Sequence, residues 1–244
     1  MTILSERLTA VADMITPGLT VADIGCDHAY LSIYLAKHDI SPRIIACDIN
    51  SGPIVRAREN IEDVELDGKI EVRQGDGLSV IEPGEVESVV LAGMGGKLMA
   101  RIISEGAAPL ADVSEIVMEP QSDVGYLRHF LQEGGYSIIS ENMVCEDDKF
   151  YPVIKASHGR MDWDSEIYFR YGKILLREEN PVLHEFLIRE KAYLSGLLRE
   201  LSANEEIPHV FVRMEEIKTD ITLNNDALLL VSEPGLFEEG REIF

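Results

Sequence analysis

The chain is short of everything that would staple it covalently or seat it in lipid. Its three cysteines, Cys26, Cys47 and Cys145, show no CxxC spacing and no partnered histidines, so neither a disulfide frame nor a metal site is expected. A reducing cytoplasmic setting follows. No apolar run approaches membrane-spanning length, and the first residues carry Glu6, Arg7 and Asp13 at amphipathic spacing in place of a signal peptide. Basic residues are scarce as well: 22 Lys and Arg face 44 Asp and Glu, a formal charge of −22. Indiscriminate binding to nucleic acid is thereby excluded, because such affinity rests on neutralising phosphates.

The deficit is uneven. Residues 1–158 hold 12 basic and 26 acidic side chains, residues 159–200 hold 7 and 8, and residues 201–244 hold 3 and 10. Any nucleic-acid contact must therefore be a local patch, with Arg177, Arg189, Lys191 and Arg199 of the middle segment as candidates. With 244 residues and 45% hydrophobic content, the chain suits one large domain and an appendage.

A second absence lies near the N-terminus. The apolar run Val21-Ala22-Asp23-Ile24 enters Gly25, and a helical pattern begins at Leu31. A dinucleotide fingerprint would place further glycines after Gly25, but Asp27 and Tyr30 stand there. An acidic turn repels a diphosphate and suits ribose and a cationic sulfonium, so S-adenosylmethionine is the expected cofactor. Asp27 has an alternative reading as the cap of the following helix. Asp48 ends the next apolar run, where such folds bind ribose hydroxyls.

Around these residues, strands are predicted at 20–24, 43–47, 69–73, 88–92 and 115–118, separated by helices at 29–37, 53–61, 97–105 and 124–132, with a leading helix from Leu4 to Ile15. Two extended runs, 136–145 and 150–157, then form an antiparallel pair. The expected fold is α/β, with the layout of a class I Rossmann-like methyltransferase sheet with an antiparallel terminal strand. The expected domains are 1–158 for the cofactor, 159–223 as a helical hairpin marked by Leu183, Leu187, Leu194 and Leu201, and 224–244 as an acidic tail.

Ligands of such sheets lie outside the carboxyl ends of the strands. After the third strand, Asp76 between Gly75 and Gly77 suits the cofactor's adenine amino group. After the fourth comes Ala92-Gly93-Met94-Gly95-Gly96-Lys97, with more glycine than a turn needs. After the fifth, Glu119 and Gln121 flank Pro120 and are candidates to meet a base edge. The Asn/Asp-Pro-Pro-aromatic tetrad of exocyclic-amine methylases is missing, whereas a ring nitrogen with an in-plane lone pair needs none.

The run Leu4-Ser5-Glu6-Arg7-Leu8, Asp23 to Leu31, Ala92 to Gly96, Glu119-Pro120, Leu127-Arg128 and Phe150-Tyr151 resembles, in order and spacing, the bacterial tRNA adenine-N1 methyltransferases called TrmK. The resemblance covers about the first 220 residues and implies a coiled-coil-like C-terminal domain and methyl transfer to N1 of adenine 22 in tRNA. The sequence departs from the family in having Gln121 where Asn is common, and in its last residues.

On this basis Asp23, Gly25, Asp27, Asp48, Ile49, Gly75, Asp76, Gly77, Ala92 and Gly93 are assigned to the cofactor. Asp27, His28, Gly93 and Met94 border the transferred methyl and are the catalytic candidates. Arg7, Gly95, Lys97, Glu119, Gln121 and Arg128 are assigned to the substrate, with solvated surface as the alternative for the cations. The expected partner is tRNA, without a membrane, for a monomer or weak dimer. Methylation of a small molecule or protein, and non-catalytic RNA binding on the same fold, stay open as rival functions.

Overall fold

The computed structural model describes residues 4–204 and 206–232. They fall into two compact units, Met1–Trp163 and Asp164–Phe244.

The first unit opens with α1 (Glu6–Met14), whose Ser5 cap accepts the Leu8 amide. There follow β1 (Val21–Ile24), α2 (Tyr30–Lys37), β2 (Ile44–Asp48), α3 (Ser51–Glu62) and β3 (Ile70–Gln74). After a 3-10 turn at Gly77–Val80 come β4 (Ser88–Gly95), α4 (Gly96–Glu105), a short α5 (Ala107–Leu110), β5 (Glu115–Ser122) and α6 (Val124–Glu133). The hairpin β6 (Tyr136–Glu146) and β7 (Lys149–His158) completes the unit.

The strand order is β3-β2-β1-β4-β5-β7-β6. Pairs among β1 to β5 are parallel, and β7 inserts antiparallel beside β5 with β6 outside it. Every residue of β1 and β2 is buried, as central strands covered on both faces must be, which explains why they are apolar apart from Asp23 and the terminal Asp48. Helices α1, α2 and α3 share one apolar cluster with these strands, and right-handed crossovers running the other way from β4 put α4 on the opposite face. The order reverses between β1 and β4, which opens the crevice where such sheets bind ligands.

Two predicted loops are strand. Gly93, Met94 and Gly95 continue β4 through a bulge, with Met94 facing Pro120 and Gly95 facing Ser122, so Glu119 to Ser122 also remain in β5. Gly93, at φ +77°, absorbs the irregularity. Strand β7 ends at His158, but the loop after it belongs to this unit, because Trp163 exchanges hydrogen bonds with the Gln132 side chain at 2.7 and 3.1 Å.

The second unit contains α7 (Glu166–Tyr171), α8 (Lys173–Arg177), α9 (Pro181–Leu201) and α10 (Pro208–Ser232). Asn180 caps α9 through bonds from the Val182 and Leu183 amides, with Pro181 at the first helical position. Helices α9 and α10 form a hairpin buried along Leu183, Leu187 and Leu194 on one side and Met214 and Ile217 on the other. The expected tail does not begin at Asn224. That residue is fully buried, donates to the Leu187 carbonyl (3.0 Å) and to Glu190 (2.9 Å), and the helix continues to Ser232. Glu190 also receives bonds from Tyr171 and Arg170, and Arg170 pairs with Asp220. The remainder of that stretch, 233–244, lies outside the described residues. Of the candidate RNA-contacting cations, Arg177 pairs with Glu178 and Arg189 with Glu185.

Candidate active site

The strand ends β1, β2 and β3 form one hydrogen-bonded rim. The Gly25 and Cys26 amides both donate to the Cys47 carbonyl at 2.8 Å, and the Gly75 amide donates to the Asp48 carbonyl at 3.0 Å. Gly25 adopts φ +75°, which favours glycine, and a Cβ there would stand 2.2 Å from the Met94 methyl and displace it. The turn continues through Asp27 at φ +50° and Ala29 at φ +58°. Ala29 is the N-cap of α2, so Asp27 does not cap that helix. Its side chain stays 69% exposed, with Oδ1 3.5 Å from His28 Nε2. His28 and Tyr30 lie parallel, with ring centroids 5.5 Å apart.

At the reversal point a cavity of about 370 Å³ is lined by Asp23, Gly25, Cys26, Asp27 and His28 from the β1 end, and by Tyr30 and Leu31 of α2. Arg7 and Leu8 of α1, Ala92 and Gly93 of β4, and Gln121 of β5 close it. Eight of the residues assigned from sequence therefore meet in one cleft: Arg7, Asp23, Gly25, Asp27, His28, Ala92, Gly93 and Gln121. Leu8, Cys26 and Leu31 were missed, since nothing in an apolar residue's identity tells a cavity wall from a core position.

Asp48 sits behind the turn, 8% exposed, accepting the Asn50 amide at 2.8 Å on Oδ1 and facing the Asp27 amide at 3.4 Å. Asp23 is buried and accepts from the Ser32 hydroxyl at 2.6 Å; burial, with Asp48 adding repulsion, pushes its carboxyl up to about 6. Burial likewise pushes the Cys47 thiol up to about 12 and raises that of Cys26, which leaves both thiols protonated and unsuited to nucleophilic chemistry.

Other assigned residues lie elsewhere. Ile49 is exposed, and Asp76, 3.4 Å from Arg101, lines with Gly77 a second cavity of about 270 Å³. Met94 packs behind Gly25, and a Cβ at Gly95 would stand 2.9 Å from the Ser122 hydroxyl. Lys97 is exposed and pairs with Asp123 at 3.2 Å. Two substrate assignments are corrected. Arg128 is 1% exposed, its Nε 2.9 Å from the buried Glu141, so it forms an internal ion pair and has no route to a substrate. Glu119 is fully buried, so it meets no base edge directly; its Oε2 accepts from Arg7 Nη1 at 2.7 Å and from the Gly93 amide at 2.8 Å.

A parallel sheet that reverses beside an acidic, non-phosphate turn and ends in an inserted antiparallel strand defines a Rossmann-like methyltransferase. A methyltransferase-domain family profile matches residues 4–154. The chain is 31% identical over 230 residues to the tRNA (adenine(22)-N(1))-methyltransferase of Bacillus subtilis (strain 168), spanning 92% of this chain and 97% of that one. The crystal structure of the B. subtilis m1A22 tRNA methyltransferase TrmK matches at a TM-score of 0.85 and 30% identity, over 93% of this chain and all (100%) of that one. A Streptococcus pneumoniae relative solved in complex with S-adenosyl-L-methionine matches at 0.83 and 31%, with the same 93% and 100% coverage. The chain belongs to the tRNA (adenine(22)-N(1))-methyltransferase family.

Proposed function

We propose that this protein transfers the methyl group of S-adenosylmethionine to N1 of adenine 22 in tRNA. The observation that carries the reading is the cleft itself, which brings Asp23, the glycine turn and Asp27 together with the hydrogen-bond donors Arg7 and Gln121. The residues present fit the cofactor: the Gly25 turn lines the cleft, and Asp23, Asp27 and Asp48 surround it with negative charge and ribose-accepting oxygens. When bound, S-adenosylmethionine supplies an electrophilic methyl carbon on a sulfonium.

The protein's part is alignment and charge. Holding adenine N1 in line with the methyl carbon replaces a bimolecular encounter with a near-attack geometry. The base becomes cationic as the bond forms, and the exposed Asp27 carboxylate is the group we assign to stabilise that charge or to take the N6 proton. His28 and Tyr30 offer ring faces at the mouth, suited to a base turned out of its stack. No described helix is long and apolar enough to cross a membrane; we place the protein in the cytoplasm, as a monomer or weak dimer.

The test is transfer of labelled methyl to an unmodified tRNA transcript with adenine at position 22, beside one with guanine there. Label in the first alone supports the reading. Label in neither, with cofactor still bound, would turn attention to small-molecule or protein acceptors.

A further inference from the structure

The acceptor side of the cleft contains a buried charge that the proposed chemistry does not use. Glu119 has no exposed side-chain surface, yet its Oε2 ties together two elements, taking a hydrogen bond from Arg7 of α1 and another from the Gly93 amide of β4. Its Oε1 is buried with no partner among the described residues. Burial raises the carboxyl's proton affinity and Arg7 opposes that rise, with Glu146 the other charged group acting on it.

Arg7 spends only Nη1 on this contact. Its Nε and Nη2 donate to nothing among the described residues, and its guanidinium carbon lies 5.5 Å from the Tyr151 ring centroid. The Arg7 and Gln121 donors converge beside Gly93, where a Cβ would stand in ordinary contact with Arg7 Nη1 at 3.6 Å and Gln121 Nε2 at 3.8 Å, and all three residues line the cleft. An unpaired guanidinium there would oppose the positive charge that methylation gives to the base. A paired one presents its donors with no net charge.

We propose that Glu119 is a positioning residue for the methyl-acceptor end of the cleft, locking the Arg7 guanidinium to the Gly93 strand and cancelling its charge, so that donors meet the acceptor base without resisting its conversion to a cation. This rests on the adenine-N1 reading. It predicts that the pair acts more on turnover than on binding of either substrate.

The experiment compares wild type, Glu119→Gln, Arg7→Lys and the double variant Arg7→Ala/Glu119→Gln in steady-state methylation of the adenine-22 transcript, with cofactor affinity by calorimetry and Tm beside it. Glu119→Gln retains the side chain's shape and an acceptor oxygen but removes the negative charge, so kcat should fall about tenfold or more, with KM for tRNA and cofactor affinity within about threefold. Arg7→Lys keeps the charge pairing and loses the fork of donors, so kcat should fall at near wild-type Tm. The double variant removes the buried carboxylate together with its cationic partner and should recover Tm without recovering kcat. A kcat for Glu119→Gln within about twofold of wild type overturns the inference, as does a double variant that recovers kcat together with Tm. If Glu119→Gln fails to fold, Arg7→Lys decides, and wild-type kcat there overturns it too. Failure of wild type to label adenine 22 would instead sink the functional reading, so the two failures are distinguishable.

Discussion

The Met94 methyl stands 2.2 Å from where a Cβ of residue 25 would be, and Gly25 itself sits at φ +75°. The end of β1 and the bulge of β4 are therefore packed through a missing side chain. Gly25→Ala should cost about 1–2 kcal/mol from the left-handed backbone alone. Gly25 lines the cleft, so straining its turn and displacing the Met94 methyl should lower cofactor affinity about tenfold or more, a loss of about 1.4 kcal/mol in binding. Calorimetric titration with S-adenosylmethionine checks this, and unchanged affinity would show that the turn does not border the cofactor.

Asp27 is held at φ +50° with its carboxylate exposed in the cleft, and it does no capping work. Both Asp27→Asn and Asp27→Ala should lower kcat by about a hundredfold if the charge assists the reaction, with smaller changes in cofactor affinity. Equal losses in turnover and affinity would reduce Asp27 to a binding group.

Arg128 and Glu141 form an ion pair with side chains 1% and 0% exposed. Arg128→Ala strands a buried carboxylate and should lower stability by about 3–5 kcal/mol. Arg128→Met/Glu141→Leu, which removes both charges, should be far milder. Denaturant unfolding distinguishes the two, and a stable Arg128→Ala protein with poor tRNA binding would restore Arg128 to the substrate side.

Asp23 carries a pH signature. Its folded carboxyl is pushed up to about 6 from 3.8 by burial, so between these values the native state keeps a proton that the unfolded chain has released. Stability from this group is full below the unfolded value and is lost as pH rises through about 6, by up to about 3 kcal/mol. Asp23→Asn cannot titrate and retains an acceptor for Ser32. In cofactor-free protein its stability relative to wild type should therefore increase between pH of about 4 and about 6 and level off above. Parallel stability curves across that window would show that Asp23 titrates alike in both states.

The order of strands and helices was legible along the chain because central parallel strands are buried on both faces and leave unbroken apolar runs such as Ile44 to Cys47. The crevice end of the sheet was legible too. Gly25, Asp27 and Asp48 follow one another along adjoining strands, so their place at one rim follows from crossover handedness and spacing. The glycines after Ala92 pointed to close approach, but sequence alone could not show that they stay in the sheet as a bulge against Pro120 and Ser122, since pairing depends on the neighbouring strand's register.

Local pattern determined which elements form and at which end of the sheet the crevice opens. Only the tertiary structure decided which charges face the cleft. Arg7, Arg128 and Glu119 are equally polar as letters, yet Arg128 turns inward to Glu141 while Glu119 vanishes beneath Gly93 and holds Arg7 at the cavity. The physical reason is that a charge is buried only when a partner from a distant element compensates its desolvation. Here those partners lie 13 positions away for Arg128 and 112 for Arg7, brought together by the packing of helices on the sheet.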